Sequence, residues 1–191
     1  MIGIVDLARA EADLTAGELV CPGCGGMLRP WGYARTRRIR DHESTTLTLR
    51  PRRGRCGACG ITQVLLLGSV LPSRADTTAV IGTALLASTR GAGYRRIAAD
   101  IGRPLSTVRR WLRSVRGAHT DWLHAQGVTW IHRVDREVFA TLTPTQTGLG
   151  DALTALAAAA LAIQTRLTPH VPAWTLIGRL THGRLVPARA G

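Results

Sequence analysis

Lysine and asparagine are missing altogether from this chain of 191 residues, and all twenty-five of its basic residues are arginine. So one-sided a choice is the imprint of a GC-rich genome, and arginine content alone is therefore not a functional signal. Acidic residues are scarce, twelve in all, and aromatics scarcer: five tryptophans, two tyrosines and one phenylalanine. A two-metal nuclease or transposase site needs carboxylates arriving from separate strands of a sizeable fold. Beyond residue 116 only Asp121, Asp135, Glu137 and Asp151 remain, which argues against such a core. No Walker-type phosphate loop, Gly-x-Ser-x-Gly elbow or His-Glu-x-x-His helix is present either. A non-enzymatic protein is expected. The first residues carry neither the basic n-region nor the apolar stretch of a secretory signal. The most apolar run, residues 149–163, has fifteen residues and includes Asp151, short of the roughly twenty that span a bilayer. The expectation is a cytoplasmic, nucleoid-associated protein without a membrane span, in which residues 149–163 form a buried or dimer-forming helix, the latter pairing two copies of the chain.

What the chain does contain begins with its four cysteines, which fall into two Cys-x-x-Cys pairs, Cys21 with Cys24 and Cys56 with Cys59, separated by thirty-one residues. Two thiolates spaced this way can turn on a tight loop and reach one metal at about 2.3 Å, and two such loops complete a tetrahedron. Each pair is followed by glycine, Gly25-Gly26 and Gly60, as suits backbone that must curl around sulfur. The alternatives are disulfides or a thioredoxin-like redox pair. Without a secretory signal, and with two pairs bracketing a strand-like stretch, structural Zn2+ is the better reading. His119, His124 and His132 fit no ligand template.

The charge of +13 is unevenly placed. Residues 1–20 carry −3, residues 21–60 carry +7, residues 61–89 balance, residues 90–116 carry +7, and the rest only +2. Genome bias would spread arginine evenly, so two concentrated blocks point to two surfaces that meet phosphate.

Residues 1–19 read as a short helix or loose arm. Residues 27–40 mix aromatic and basic residues, residues 45–50 alternate polar with apolar, and residues 61–67 form another apolar run, which together outline a three-stranded zinc ribbon over 20–68. After a connector at 68–75, a helix capped by Asp76 or Ser73 precedes the stop Gly91-Ala-Gly93. Residues 94–113 then have the pattern of a helix-turn-helix: Ile97, Ala98 and Ile101 inward, Gly102 at the turn, Pro104 opening a second helix with Val108, Trp111, Leu112 and Val115 inward. Ser106, Thr107, Arg109, Arg110 and Arg113 are left outward, where arginine can pair with guanine edges in a major groove. Residues 118–126 extend this unit (74–126). The C-terminal helical region (127–191) holds a strand or irregular stretch at 128–142, the apolar helix, a short helix near 174–180 and a Pro/Arg/Gly tail.

The motifs around Cys21–Gly25, Arg55–Gly60, Tyr94–Pro104 and Val108–Arg113 resemble an uncharacterised bacterial zinc-ribbon/helix-turn-helix family, and are similar to the N-terminal DNA-binding parts of insertion-sequence transposases and their accessory proteins. The resemblance covers residues 18–125. The elements themselves give the expected fold class, mainly α with a small β zinc ribbon, and double-stranded DNA is the expected partner; the transposase likeness implies recognition of element ends by residues 20–116, with chemistry located in another polypeptide or lost. Arg109, Arg110, Arg113 and Ser106 are expected on base edges, Thr107, Arg95, Arg96 and Arg103 on phosphates, and Arg37, Arg38, Arg52 and Arg53 of the ribbon at a second, less specific contact. A transcription regulator and a transposition-linked protein both fit. So do, as other classes, a partner-dependent transposase or recombinase subunit and a ribbon module that binds protein or RNA.

Overall fold

The computed structural model describes residues 1–187; the end of the C-terminal tail lies outside the described residues. About half the chain is helical and a small part is sheet. Of the two alternatives for the N-terminal segment, the short helix is present, preceded by a strand. Strand β1 (Ile2–Ile4) pairs in parallel with a strand sixty residues later, and helix α1 (Leu7–Ala16), capped by the Asp6 carboxylate and closed by Gly17, packs beside it. Its sequence is too short to announce a strand, and only the pairing with Leu65, Leu66 and Leu67 makes it one.

The segment expected as a ribbon follows as β2 (Leu28–Tyr33), β3 (Arg37–Arg40), β4 (Thr46–Leu49), β5 (Arg52–Cys56) and β6 (Thr62–Leu67). These do not form one three-stranded sheet. β2, β5 and β6 join β1 in a four-stranded sheet of order β1-β6-β5-β2, while β3 and β4 make a separate hairpin. A small core of Ile4, Ala10, Leu14, Leu28 and Leu65 lies beneath the sheet, with Cys21 and Cys56 packed into it. Leu66, adjacent to Leu65 and so on the opposite face of β6, packs instead with Ile39 and Leu49 of the hairpin.

The helical part has the main core. Helix α2 (Thr78–Thr89) is capped by neither Asp76 nor Ser73: the Thr77 hydroxyl accepts from the Val80 amide, which frees the Asp76 carboxylate for another task. Helices α3 (Tyr94–Asp100) and α4 (Leu105–Ser114) pack against α2, with Ile97, Ala98, Val108, Trp111 and Val115 buried as their spacing predicts. The turn between them rests on Gly102, whose φ of +62° is a conformation glycine adopts without the strain of a Cβ.

Helix α5 (Ala118–Val134) runs unbroken through the expected boundary at 126 and into the stretch 128–142 expected as strand or irregular, as far as Val134. Thr120, Leu123, Gly127 and Ile131 are buried along it at spacings of three and four, so one helical face continues across that position. A 3-10 segment at Arg136–Thr141 follows. Helix α6 (Gly148–Arg166) outruns the fifteen-residue apolar stretch. At 19 residues it is apolar enough to cross a membrane by length and composition, yet half of it is buried inside the protein, mainly against α5. Its alanines let the two helices approach closely: a Cβ at Gly127 would stand 2.7 Å from Ala155 backbone and side chain. Gly127→Leu is accordingly expected to pry α5 from α6 at a cost of about 1–3 kcal/mol, lowering Tm by roughly 2–4 °C per kcal/mol, as calorimetry would measure. Helix α7 (Ala173–Leu180) closes the core against α2 and α6.

Candidate metal centre and arginine surfaces

The two cysteine loops are near copies of each other. In the first, the Cys21 amide donates to the Gly26 carbonyl and the Gly25 amide to the Cys21 carbonyl, both at 2.8 Å. In the second, the Cys56 amide donates to Ile61 at 2.9 Å and the Gly60 amide to Cys56 at 3.0 Å. Gly25 and Gly60 take φ of +72° and +73°, the left-handed turn each loop needs to reverse. A bond from the Gly57 amide to the Met27 carbonyl holds one loop against the other.

This brings the four sulfurs within 4.8 Å of one another, with Cys21 to Cys59 at 3.8 Å and Cys24 to Cys56 at 3.4 Å. Four sulfurs tetrahedrally placed at 2.3 Å from one ion would be roughly 3.8 Å apart. A disulfide requires about 2.05 Å, and all four cysteines are free. Gly26 leaves the room the cluster occupies, because a Cβ there would sit 2.9 Å from the Cys56 sulfur. The four thiols could thus hold a metal ion, and with every donor a thiolate the site has no position set aside for a substrate. Backbone amides prepare it. The Gly23 amide lowers the Cys21 pKa, and the Cys59 and Ala58 amides bring Cys56 down to about 6 against the cost of burial. Cys24 also receives an amide, from Gly26, but the neighbouring sulfurs of Cys59 and Cys56 outweigh it and push its pKa up to about 12. Four adjacent thiolates repel one another, and a cation at their centre removes that repulsion.

The arginines divide into two groups. Arg103, expected on phosphate, is buried: its Nε donates to Asp76 at 2.6 Å, and its other nitrogens reach the carbonyls of Ile101, Gly102 and Asp41. Arg37 donates to the Leu71 and Arg74 carbonyls, and burial lowers its pKa. Arg52 donates from its Nε to both Glu11 carboxylate oxygens, at 2.8 and 3.1 Å, and from Nη1 to the Gly32 carbonyl. Arg53 is half-buried. Sequence spacing could not reveal these assignments, because Asp76 and Asp41 for Arg103, Leu71 and Arg74 for Arg37, and Glu11 and Gly32 for Arg52 all lie 20 or more residues away.

Ser106, Arg109, Arg110 and Arg113 are exposed on α4, Arg95 and Arg96 on α3, and Arg38 on β3; Thr107 is half-buried. Among the described residues no carboxylate lies within ion-pair distance of Arg109, Arg110 or Arg113, and Arg96 has only a loose 3.8 Å pair with Asp100. Two open clefts flank α4. One, of about 440 Å³, is lined by Ser106, Arg109, Arg110, Arg113 and Ser114; the other, of about 640 Å³, runs past Tyr94, Arg109, Arg113 and Arg116.

A network missed by sequence reasoning ties hairpin to helices. Asp76, 3% exposed, takes Arg103 on one oxygen and Arg40 on the other at 2.9 Å, while the Thr77 hydroxyl donates to Asp41 at 2.8 Å. Backbone bonds from Arg40 to Ala75 and from Thr77 to Arg40 run alongside. The β3–β4 hairpin is therefore fastened next to the turn that precedes α4. Of the histidines, His119 stacks on Trp122 and His132 on Phe139, both with centroids 5.4 Å apart. Comparison with known protein families, curated proteins and solved structures returns no match.

Proposed function

We propose that this chain is a sequence-specific, duplex-DNA-binding protein in which α3 and α4 act as a helix-turn-helix and the four cysteines hold a structural zinc ion. The observation that carries this reading is α4 itself. One face is anchored by the fully buried Val108 and Trp111, and the other offers Ser106, Arg109, Arg110 and Arg113 with no acidic partner among the described residues. A rigid helix with unneutralised guanidinium groups suits a major groove, where arginine pairs bidentately with guanine O6 and N7. Thr107, Arg95 and Arg96 lie at the flanks, where phosphate contacts would fix register.

Zinc follows from the donor set: four thiolates at tetrahedral separations, on two tight loops, match closed structural sites. The ribbon contributes Arg38, which alternates with the buried Ile39 and so faces the same way as Arg40, toward the turn before α4. A regulator and a transposition-linked protein share this geometry, and neither requires chemistry in the chain itself.

Selection of bound sequences from random duplexes tests the reading. The wild type should enrich a defined site, and Arg109→Ala with Arg110→Ala should relax its preference, at about 1–3 kcal/mol for each bidentate arginine–guanine pair removed. Affinity should also fall steeply with salt. Absence of any enriched duplex would remove the base-reading role from α4.

A further inference from the structure

The cleft of about 640 Å³ where α2, α4 and the start of α6 meet has walls of two kinds. Its apolar side is formed by Leu112 of α4 and Leu149 of α6, both half-buried, together with the buried Val115. Its cationic side is formed by Arg109, Arg113 and Arg116, all exposed and none within ion-pair distance of a carboxylate among the described residues. Arg109 and Arg113 stand four residues apart on one helix, a spacing at which like charges repel. Arg109 also lies 5.9 Å from the centroid of the Tyr94 ring, which lines the same cleft. Ser88 and Thr89 line it too, but direct their hydroxyl protons to the Leu85 and Leu86 carbonyls of their own helix. An anion entering the cleft would therefore be held by guanidinium.

We infer that this cleft binds a small aromatic acid, a flat apolar body bearing one carboxylate, sulfonate or phosphate. Small-molecule sites are concavities of roughly 300–1,000 Å³ whose apolar walls carry a few polar groups that fix orientation. The cleft lies within that range. Guanidinium suits both halves of such a ligand, because it bonds an oxyanion in its plane and stacks on an aromatic ring with its face. Simpler occupants fit less well. An inorganic anion makes no use of Leu112 and Leu149, and neither does the hydrophilic backbone of a duplex; a neutral apolar molecule leaves three cations unanswered. Arg109 and Arg113 line this cleft and also the narrower one beside Ser106 and Arg110. Resting on the function proposed above, the site is then regulatory: the acid and a duplex compete for the same two guanidinium groups, and binding of the acid releases DNA.

The test uses the full zinc-loaded chain and three probes: anilinonaphthalene sulfonate, whose fluorescence rises in apolar surroundings; phenylnaphthylamine, the same body without the charge; and sulfate, the charge without the body. The sulfonate dye should bind saturably and about tenfold more tightly than either of the others. Arg116→Ala with Leu149→Asp should weaken the dye by about tenfold or more. An aspartate suits the first turn of α6, and a variant that had merely lost its packing would bind more dye, not less. With the dye at about ten times its Kd, the wild type's affinity for a labelled duplex should fall about tenfold, while that of the variant should fall less than about threefold. Unsaturable binding, or equal binding by the variant, refutes the site. Phenylnaphthylamine or sulfate binding as tightly as the dye would overturn the assignment to an aromatic acid. Dye binding with no effect on the duplex refutes the competition. A wild type that binds no duplex, yet binds dye and loses it on substitution, would remove the role of α4 and leave the cleft standing.

Discussion

Removing the proposed zinc ion, by chelation or by Cys56→Ser, should unfold the N-terminal sheet while most of the helical signal survives. The reason is the size of what would remain. Apart from the two buried cysteines, the N-terminal sheet and its hairpin bury nine aliphatic side chains in two separate clusters, Ile4, Ala10, Leu14, Leu28 and Leu65 in one and Ile39, Leu49, Leu66 and Val70 in the other, too few to offset the entropy of ordering sixty-odd residues. Zinc bound to four thiolates supplies on the order of 10–16 kcal/mol in isolated small domains. The helical core around Trp111, Leu123, Leu156 and Ile81 does not draw on it. Limited proteolysis with mass mapping should therefore find new cleavage within residues 1–68 of the stripped protein, and far-ultraviolet circular dichroism should retain a helical spectrum. Protons compete for the same sulfurs. Backbone amides lower the Cys56 pKa from the ordinary 9.0 to about 6, so its contribution as a thiolate is full above the ordinary value and is lost as pH falls from there through 6, and release should accompany acidification, not alkalinisation. A Cys56→Ser protein with wild-type metal content and an unchanged protease map would eliminate the metal centre.

Asp76→Ala should cost about 3–5 kcal/mol, the usual consequence of breaking a buried ion pair by removing one partner. The Arg103 side chain is 7% exposed and would keep its charge with no other carboxylate within ion-pair distance among the described residues, while Arg40, 44% exposed, could turn to water. The loss should appear in urea unfolding as a lower midpoint. Arg103→Leu combined with Asp76→Ala should recover part of it, because the stranded charge is then gone. The same substitution frees the β3–β4 hairpin from the turn before α4, so the m-value should change if ribbon and helices cease to unfold together. A stability within about 1 kcal/mol of wild type would show that hydrogen bonds from Arg103 to backbone suffice without the carboxylate.

Much of this architecture is legible one residue at a time. The loops around Cys21–Cys24 and Cys56–Cys59 are readable because thiolate spacing and a following glycine are local requirements. The inward faces of α3 and α4 are readable because Ile97, Ala98, Val108 and Trp111 follow a 3.6-residue period. The roles of individual arginines are not. Arg103 and Arg110 look alike in sequence, both in a basic block beside hydroxyl and apolar residues, yet one is buried on Asp76 and the other exposed. The strand Ile2–Ile4 is illegible for a related reason, since three residues carry no period. The boundary expected at 126 is absent because Gly127, which resembles a break, is a close-packing residue inside a helix.

Local chemistry, then, determined the cysteine cluster, the paired helices and the concentration of positive charge in two blocks: each depends on residues a few positions apart, whose spacing is set by backbone geometry. Tertiary structure alone decided which arginines remain available, how the hairpin is fastened beside α4, and that Trp31 and Tyr33 stand on an open edge, because these depend on carboxylates, carbonyls and strands distant in the chain, the hairpin and turn contacts spanning 27 to 62 residues.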